Sequence, residues 1–165
     1  MKFKINLALL AILLLVGCTS PVDESGMTGY VMKKEGGRIL VVNSNPQDFS
    51  STGGVEEYYD AIWFSKAPAS IEVGQQVKVW FDIVADSYPG QSEVQKIEVI
   101  PSQKPAGAAL SPEEALKKAL TSPDMQTQDT IAVKGVEFQS GDGLWYITLK
   151  NVWERDPFVV EVEDR

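Results

Sequence analysis

The sequence predicts a mainly β protein: a small OB-like five-stranded barrel, then a small α+β unit of one helix plus a β-meander. Three observations predict it. Between Gly29 and Pro101, five strand-length runs are separated by turns carrying Gly, Pro and Ser. The tetrad Ser111-Pro112-Glu113-Glu114 then opens a helix. From Thr130 to Val162, three further β runs follow at short spacing.

Each element has its own reason. Residues 29–34 and 38–43 form a hairpin around Glu35-Gly36-Gly37. Residues 44–57 are a long loop rich in Ser, Gly, Asn and Pro, and 58–65 (YYDAIWFS) are a third strand. A short connection, 66–75, passes through Pro68 and Gly74. Residues 76–85 alternate cleanly, with Val77, Val79, Phe81 and Ile83 on a core face and Lys78, Trp80 and Asp82 on the other. Residues 86–92 turn around Pro89-Gly90, and 93–100 are a fifth strand closed by Pro101. A hairpin first and a longer excursion between strands three and four suit a Greek-key barrel of OB type. The helix usual in that excursion is missing or reduced to a turn. An open sheet of five or six strands, or another small barrel, is the alternative.

Residues 102–110 are a Pro/Ala/Gly linker. In the helix beyond it, the Ser111 hydroxyl accepts from the Glu114 N–H, and the Glu114 carboxylate accepts from the Ser111 N–H. Ala115, Leu116, Ala119 and Leu120 make one apolar stripe, which ends before Pro123. Strands follow at 130–138, 144–151 and 158–162, around turns at 139–143 and Asp156-Pro157. Residues 111–165 are few for an independent fold and are expected to pack on the barrel.

The N-terminus reads as an address. Lys2 and Lys4 precede an apolar run from Ile5 to Val16, broken only by Asn6. That run falls short of the roughly 20 residues a membrane-spanning helix needs. It fits the apolar region of a signal peptide, about 7–15 residues after positive charge. Leu15-Val16-Gly17-Cys18 resembles the lipobox of bacterial lipoproteins, and Cys18 is the only cysteine. The resemblance implies cleavage after residue 17 and a diacylglyceryl group on Cys18. Residues 1–17 are then the signal peptide and 18–28 a lipidated tether. Two acyl chains anchor stably where one binds marginally. The expected location is the extracytoplasmic face of the cell membrane.

Composition narrows the chemistry. Of 15 basic residues, Lys2 and Lys4 leave with the leader, so 13 face 23 acidic ones, a net charge of −10. Nucleic acid is disfavoured, because its binding rests on Lys and Arg neutralising phosphates. Histidine is absent, which removes Ser-His-Asp and Cys-His catalysis and the commonest zinc ligand. No catalytic residue, metal or cofactor is expected.

Residues 29–101 resemble a family of uncharacterised lipoproteins from bacilli, the YobA-like domain of unknown function. Gly29-Tyr30-Val31, Arg38–Val42, the run 58–64 (YYDAIWF), the run 73–80 (VGQQVKVW) and the run 86–91 (DSYPGQ) carry the resemblance. It implies a secreted, OB-like, lipid-anchored module and supplies no activity. Residues 111–119 and 144–150 faintly resemble PepSY-type modules of extracytoplasmic regulators.

The candidate ligand surface is aromatic. Tyr59 and Trp63 share one face of strand three, beside Trp80 and Tyr88. OB folds bind oligosaccharides on such a face. The competing reading packs these rings beneath the C-terminal unit, since burying an aromatic is strongly favourable. Glu56, Glu57 and Asp60, or Asp82 and Asp86, are acidic groups with no calcium-loop motif, and a solvated surface is the simpler reading. Asp142, between two glycines, is a turn residue. The expected function is a lipid-anchored binding or accessory protein with an envelope glycan or protein as partner. A carboxylate-dependent glycan enzyme and a protein-interaction regulator are the alternatives.

Overall fold

The computed structural model describes residues 26–126 and 129–165. The leader, Cys18 and most of the tether lie outside the described residues.

The first unit is one six-stranded sheet in the order β5-β3-β2-β1-β4-β6. Its strands are β1 (Met27–Glu35), β2 (Arg38–Asn43), β3 (Ala61–Ser65), β4 (Gln76–Trp80), β5 (Gly90–Glu93) and β6 (Lys96–Ile100). The β1–β2 hairpin turns through Gly36 and Gly37, with φ of 57° and 77°. Positive φ at both central residues is what a two-residue hairpin turn requires. All pairs are antiparallel except β3 with β5. The two edges, β5 and β6, are separated in the chain by Val94 and Gln95 alone. The Val94 N–H donates to the Ser65 carbonyl at 3.1 Å, and the Gln95 N–H to the Trp80 carbonyl at 2.9 Å. One continuous segment therefore bonds to β3 and then to β4, linking the two edges of the six-stranded sheet. The single fifth strand expected over 93–100 is in fact this divided pair.

Residues 66–75 contain no helix, as the sequence suggested. Two strands are shorter than expected. β3 begins at Ala61, because Tyr58 pairs instead with Gln47 in an isolated bridge. β4 stops at Trp80, because its neighbours have run out. The last ladder pairs are Val79 with Met27 and Trp80 with Lys96; beyond them Ala85 meets Gln91 of β5 in an isolated bridge, and Ser92 Oγ donates to the Ile83 carbonyl at 2.7 Å. Ile83, expected in the core, is accordingly 82% exposed. Phe81 is half-buried, its ring 5.1 Å from that of Phe64.

The second unit contains α1 (Pro112–Leu120), α2 (Pro123–Gln126) and an antiparallel sheet of β7 (Ile131–Gln139), β8 (Leu144–Asn151) and β9 (Phe158–Glu163). The capping box forms: Glu114 N–H donates to Ser111 Oγ at 3.3 Å, and Ser111 N–H to Glu114 Oε2 at 2.7 Å. Pro123 does not simply stop α1; it opens α2.

Two apolar cores result. One fills the barrel, with Val31, Ile39, Val41, Phe64, Val77 and Val79. The other joins the units: Met32, Leu40, Val42, Tyr59 and Ala61 from the barrel's outer face meet Leu116, Trp145, Ile147 and Leu149. Four successive β2 residues, Ile39 to Val42, are buried because both faces of that strand are covered. The joint is close at Gly74 (φ 91°), where a Cβ would lie 2.5 Å from the Glu113 carbonyl oxygen. Polar groups pin its rim. Glu57 bridges Lys134 and Lys150, and Glu72 bridges Lys34 and Lys117, both at 3.2 Å. The Asp164 carboxylate accepts from the Ala109 and Leu110 N–H groups at 2.6 and 2.8 Å, and from the Trp145 indole at 2.9 Å.

Candidate functional site

An open groove of about 620 Å³ lies where β1 begins, β2 ends and β3 begins. Tyr58, Tyr88 and Phe81 supply aromatic surface, while Asn43, Asn45, Ser87 and Asp60 supply polar groups. Local structure fixes the groove on both sides. Gln47 and Tyr58 exchange backbone hydrogen bonds at 2.8 and 2.9 Å, which folds the long loop back on itself. Gln47 Nε2 donates to Asp60 Oδ2 at 2.6 Å. On the other wall, the Tyr88 hydroxyl donates to the Tyr59 carbonyl at 2.9 Å. Gly90 leaves room there, because a Cβ would lie 2.6 Å from Val84 Cγ1.

The rings continue beyond the groove. Phe49 meets Tyr58 at 5.6 Å, Tyr58 meets Tyr88 at 6.0 Å, and Tyr88 meets Trp153 at 4.9 Å between centroids. Edge-to-face and tilted pairs at such spacing attract. The series runs from the long loop of the barrel to the β8–β9 loop, and Trp153 is 66% exposed. Burial, and then the Tyr58 phenolate and the Asp60 carboxylate, push the Tyr88 hydroxyl up to about 12. Tyr58 is raised too, by burial and then by Asp60. Both stay neutral at ordinary pH and present hydroxyl groups rather than charge.

The structure separates the four aromatics proposed from the sequence. Tyr59 is buried in the joint core at 2% exposure, so its ring is structural and offers no face to a ligand. The physical reason is the covering of that barrel face by β7, β8 and α1. Trp63 is half-buried against the same core, with the Arg38 guanidinium 5.1 Å above its ring. It shares a smaller hollow of about 330 Å³ with Tyr88, Lys33 and Trp153. Trp80 belongs to neither core and lies between Lys78 and Lys96, 5.0 and 4.4 Å from its ring centre. Tyr88 alone of the four lines the groove. Tyr58, Asn43, Asn45 and Trp153 were not singled out by sequence. The usable signal was their position at or beside loops, where binding residues concentrate.

The acidic candidates have other work. Lys134 and then Lys150 hold the Glu57 carboxyl below its usual range. Asp142 caps its turn, accepting from the Leu144 N–H at 3.0 Å and the Tyr146 hydroxyl at 2.8 Å. Asp82 and Asp86 are exposed. No cluster of three or more metal-ligating side chains occurs among the described residues. No helix among them is long and apolar enough to cross a membrane.

The comparison with known families bears on the barrel unit. Residues 28–101 match the family described as a protein of unknown function (DUF3221). A crystal structure of a yobA protein from Bacillus subtilis is similar at 20% identity, covering 46% of this chain and 92% of that one, with a TM-score of 0.33. No curated protein matches the chain.

Proposed function

We propose that this is a lipid-anchored extracytoplasmic binding protein, without catalysis, whose ligand is an uncharged or amino-bearing envelope glycan. The observation that carries the binding reading is the groove's lining. It offers tyrosine and phenylalanine rings for stacking on sugar faces, and asparagine, serine and tyrosine groups for bonding hydroxyls. Anionic glycans are disfavoured by the net charge of the mature chain. Among the described residues Asp60 is the one carboxylate in the lining, whereas glycoside hydrolysis normally uses a flanking pair. That asymmetry favours a binder over a carboxylate enzyme.

Two experiments test the reading. Cys18→Ser abolishes lipid labelling and leaves a precursor or releases protein into the medium. Normal labelling of that variant refutes the anchor. Calorimetric titration of wild type with neutral oligosaccharides released from the envelope gives a binding isotherm that Tyr58→Ala weakens at least tenfold. Equal isotherms for the two proteins remove the groove from the function.

A further inference from the structure

Trp80 marks one end of the first unit's sheet. Trp80 ends β4, outside both apolar cores, flanked by Lys78 and Lys96. The next residues leave the sheet and expose Ile83 at 82% and Val84 at 39%. This is where the described chain begins. A Cβ on Gly26 would lie 3.0 Å from the Trp80 ring. Gly26 and Val84 both line the groove.

Chain length makes that adjacency informative. Eight residues lead from Cys18 to Gly26. That stretch reaches less than about 29 Å when fully extended. A folded unit of this size is roughly 35 Å across. A tether shorter than the domain keeps its attachment face turned towards the anchor.

We infer that the Trp80 edge, with Lys78, Lys96 and the Ile83–Val84 loop, rests on the bilayer surface and orients the domain. The inference rests on the anchoring role of Cys18. Its chemistry suits a membrane interface: a tryptophan favours the headgroup level, lysines reach lipid phosphates, and an exposed isoleucine gains by entering the acyl boundary. Asp82, Asp86 and Glu98 are also exposed at this edge, and Lys96 pairs with Glu98 at 2.7 Å. The contact is therefore interfacial insertion aided by lysine, not attraction by bulk charge. Because Gly26 and Val84 line the groove, such a contact sets the groove near the membrane, within reach of ligands held there.

The test uses the mature lipid-modified protein reconstituted in phosphatidylethanolamine/phosphatidylglycerol vesicles whose acyl chains are brominated near the headgroup. Bromine quenches tryptophan emission at short range. The expected result is quenching in wild type that is mostly lost in Trp80→Phe and reduced in Ile83→Glu, while Trp153→Phe keeps it. Ile83 is so exposed that its substitution leaves packing intact, which guards against a folding artefact at Trp80. Absence of quenching in membrane-bound protein overturns the inference, as does quenching that survives Trp80→Phe or vanishes with Trp153→Phe. Failure of the protein to remain on washed vesicles refutes the anchor instead, and the inference with it.

Discussion

The inside of the barrel and the joint between the two units are apolar cores of different origin. The inner core follows from local alternation: Ile39 and Val41 on β2 face Val31 on β1, and Val77 and Val79 on β4 join them. The joint draws Leu40 and Val42 from the opposite face of the same strand and meets them with Trp145, Ile147 and Leu149, a hundred residues later in the chain. The inner core makes a barrel; the joint decides which of the barrel's outer aromatics remain available. Tyr59 is consumed by it, Trp63 is half consumed, and Tyr58 and Tyr88 are left at the margin, where the groove lies.

Breaking the joint at its centre has the largest expected effect. Trp145 is fully buried and its indole donates to Asp164. Trp145→Ala costs about 3–5 kcal/mol of stability by denaturant unfolding. A cost under about 1 kcal/mol indicates that the joint is loosely packed. Next, Ile39→Ala and Leu40→Ala probe the two cores from neighbouring positions, each expected to cost about 2–5 kcal/mol. If the cores form one cooperative unit, both variants unfold in a single transition by circular dichroism and tryptophan fluorescence. Two separated transitions in Leu40→Ala alone show that the units melt independently.

The ion pairs at the rim sharpen the comparison further. Glu57→Ala leaves the ammonium of Lys150, whose side chain is only 9% exposed, without that partner. The expected cost is about 1–3 kcal/mol near neutral pH. The Glu57 carboxyl is depressed in the folded protein. Its stabilisation is therefore present above the unfolded carboxyl's ordinary value of 4.5 and fades as pH falls through the lower folded value. Wild type and Glu57→Ala should converge in stability on acidification, and a gap that does not narrow as pH falls contradicts the assignment. The smallest effect is local: Ser111→Ala removes the α1 cap and costs about 1 kcal/mol. Exchange of the α1 amide hydrogens should accelerate while the barrel amides stay protected.

The hairpin, the meander and the capping box were legible because each depends on a few neighbouring residues. Gly36-Gly37 dictates one turn, and Ser111 with Glu114 dictates one helix start. The division of the fifth strand was not legible, since it depends on which strands lie on either side of Val94 and Gln95. The early end of β4 has the same cause: Ile83 continues the alternation, yet β1 and β6 end before it and β5 meets it through the Ser92 hydroxyl. The site suffered from these errors directly. Placing Tyr58 and Tyr59 inside β3 assigned them opposite faces by period, whereas Tyr58 is held by Gln47 in the loop and Tyr59 is drawn into the joint. Tyr88, placed by sequence beside Trp80 in the turn around Pro89-Gly90, lines the groove instead.

The central claim is that the margin left by the joint, the groove at Tyr58 and Tyr88, is where ligand binds. Amide chemical-shift mapping during titration with neutral envelope oligosaccharides tests it most directly. The account predicts saturable shifts concentrated at Asn43, Asn45, Tyr58, Ser87 and Tyr88, with β9 and the α1 helix unmoved. Shifts absent from those positions and centred on β9 or α1 instead would contradict it.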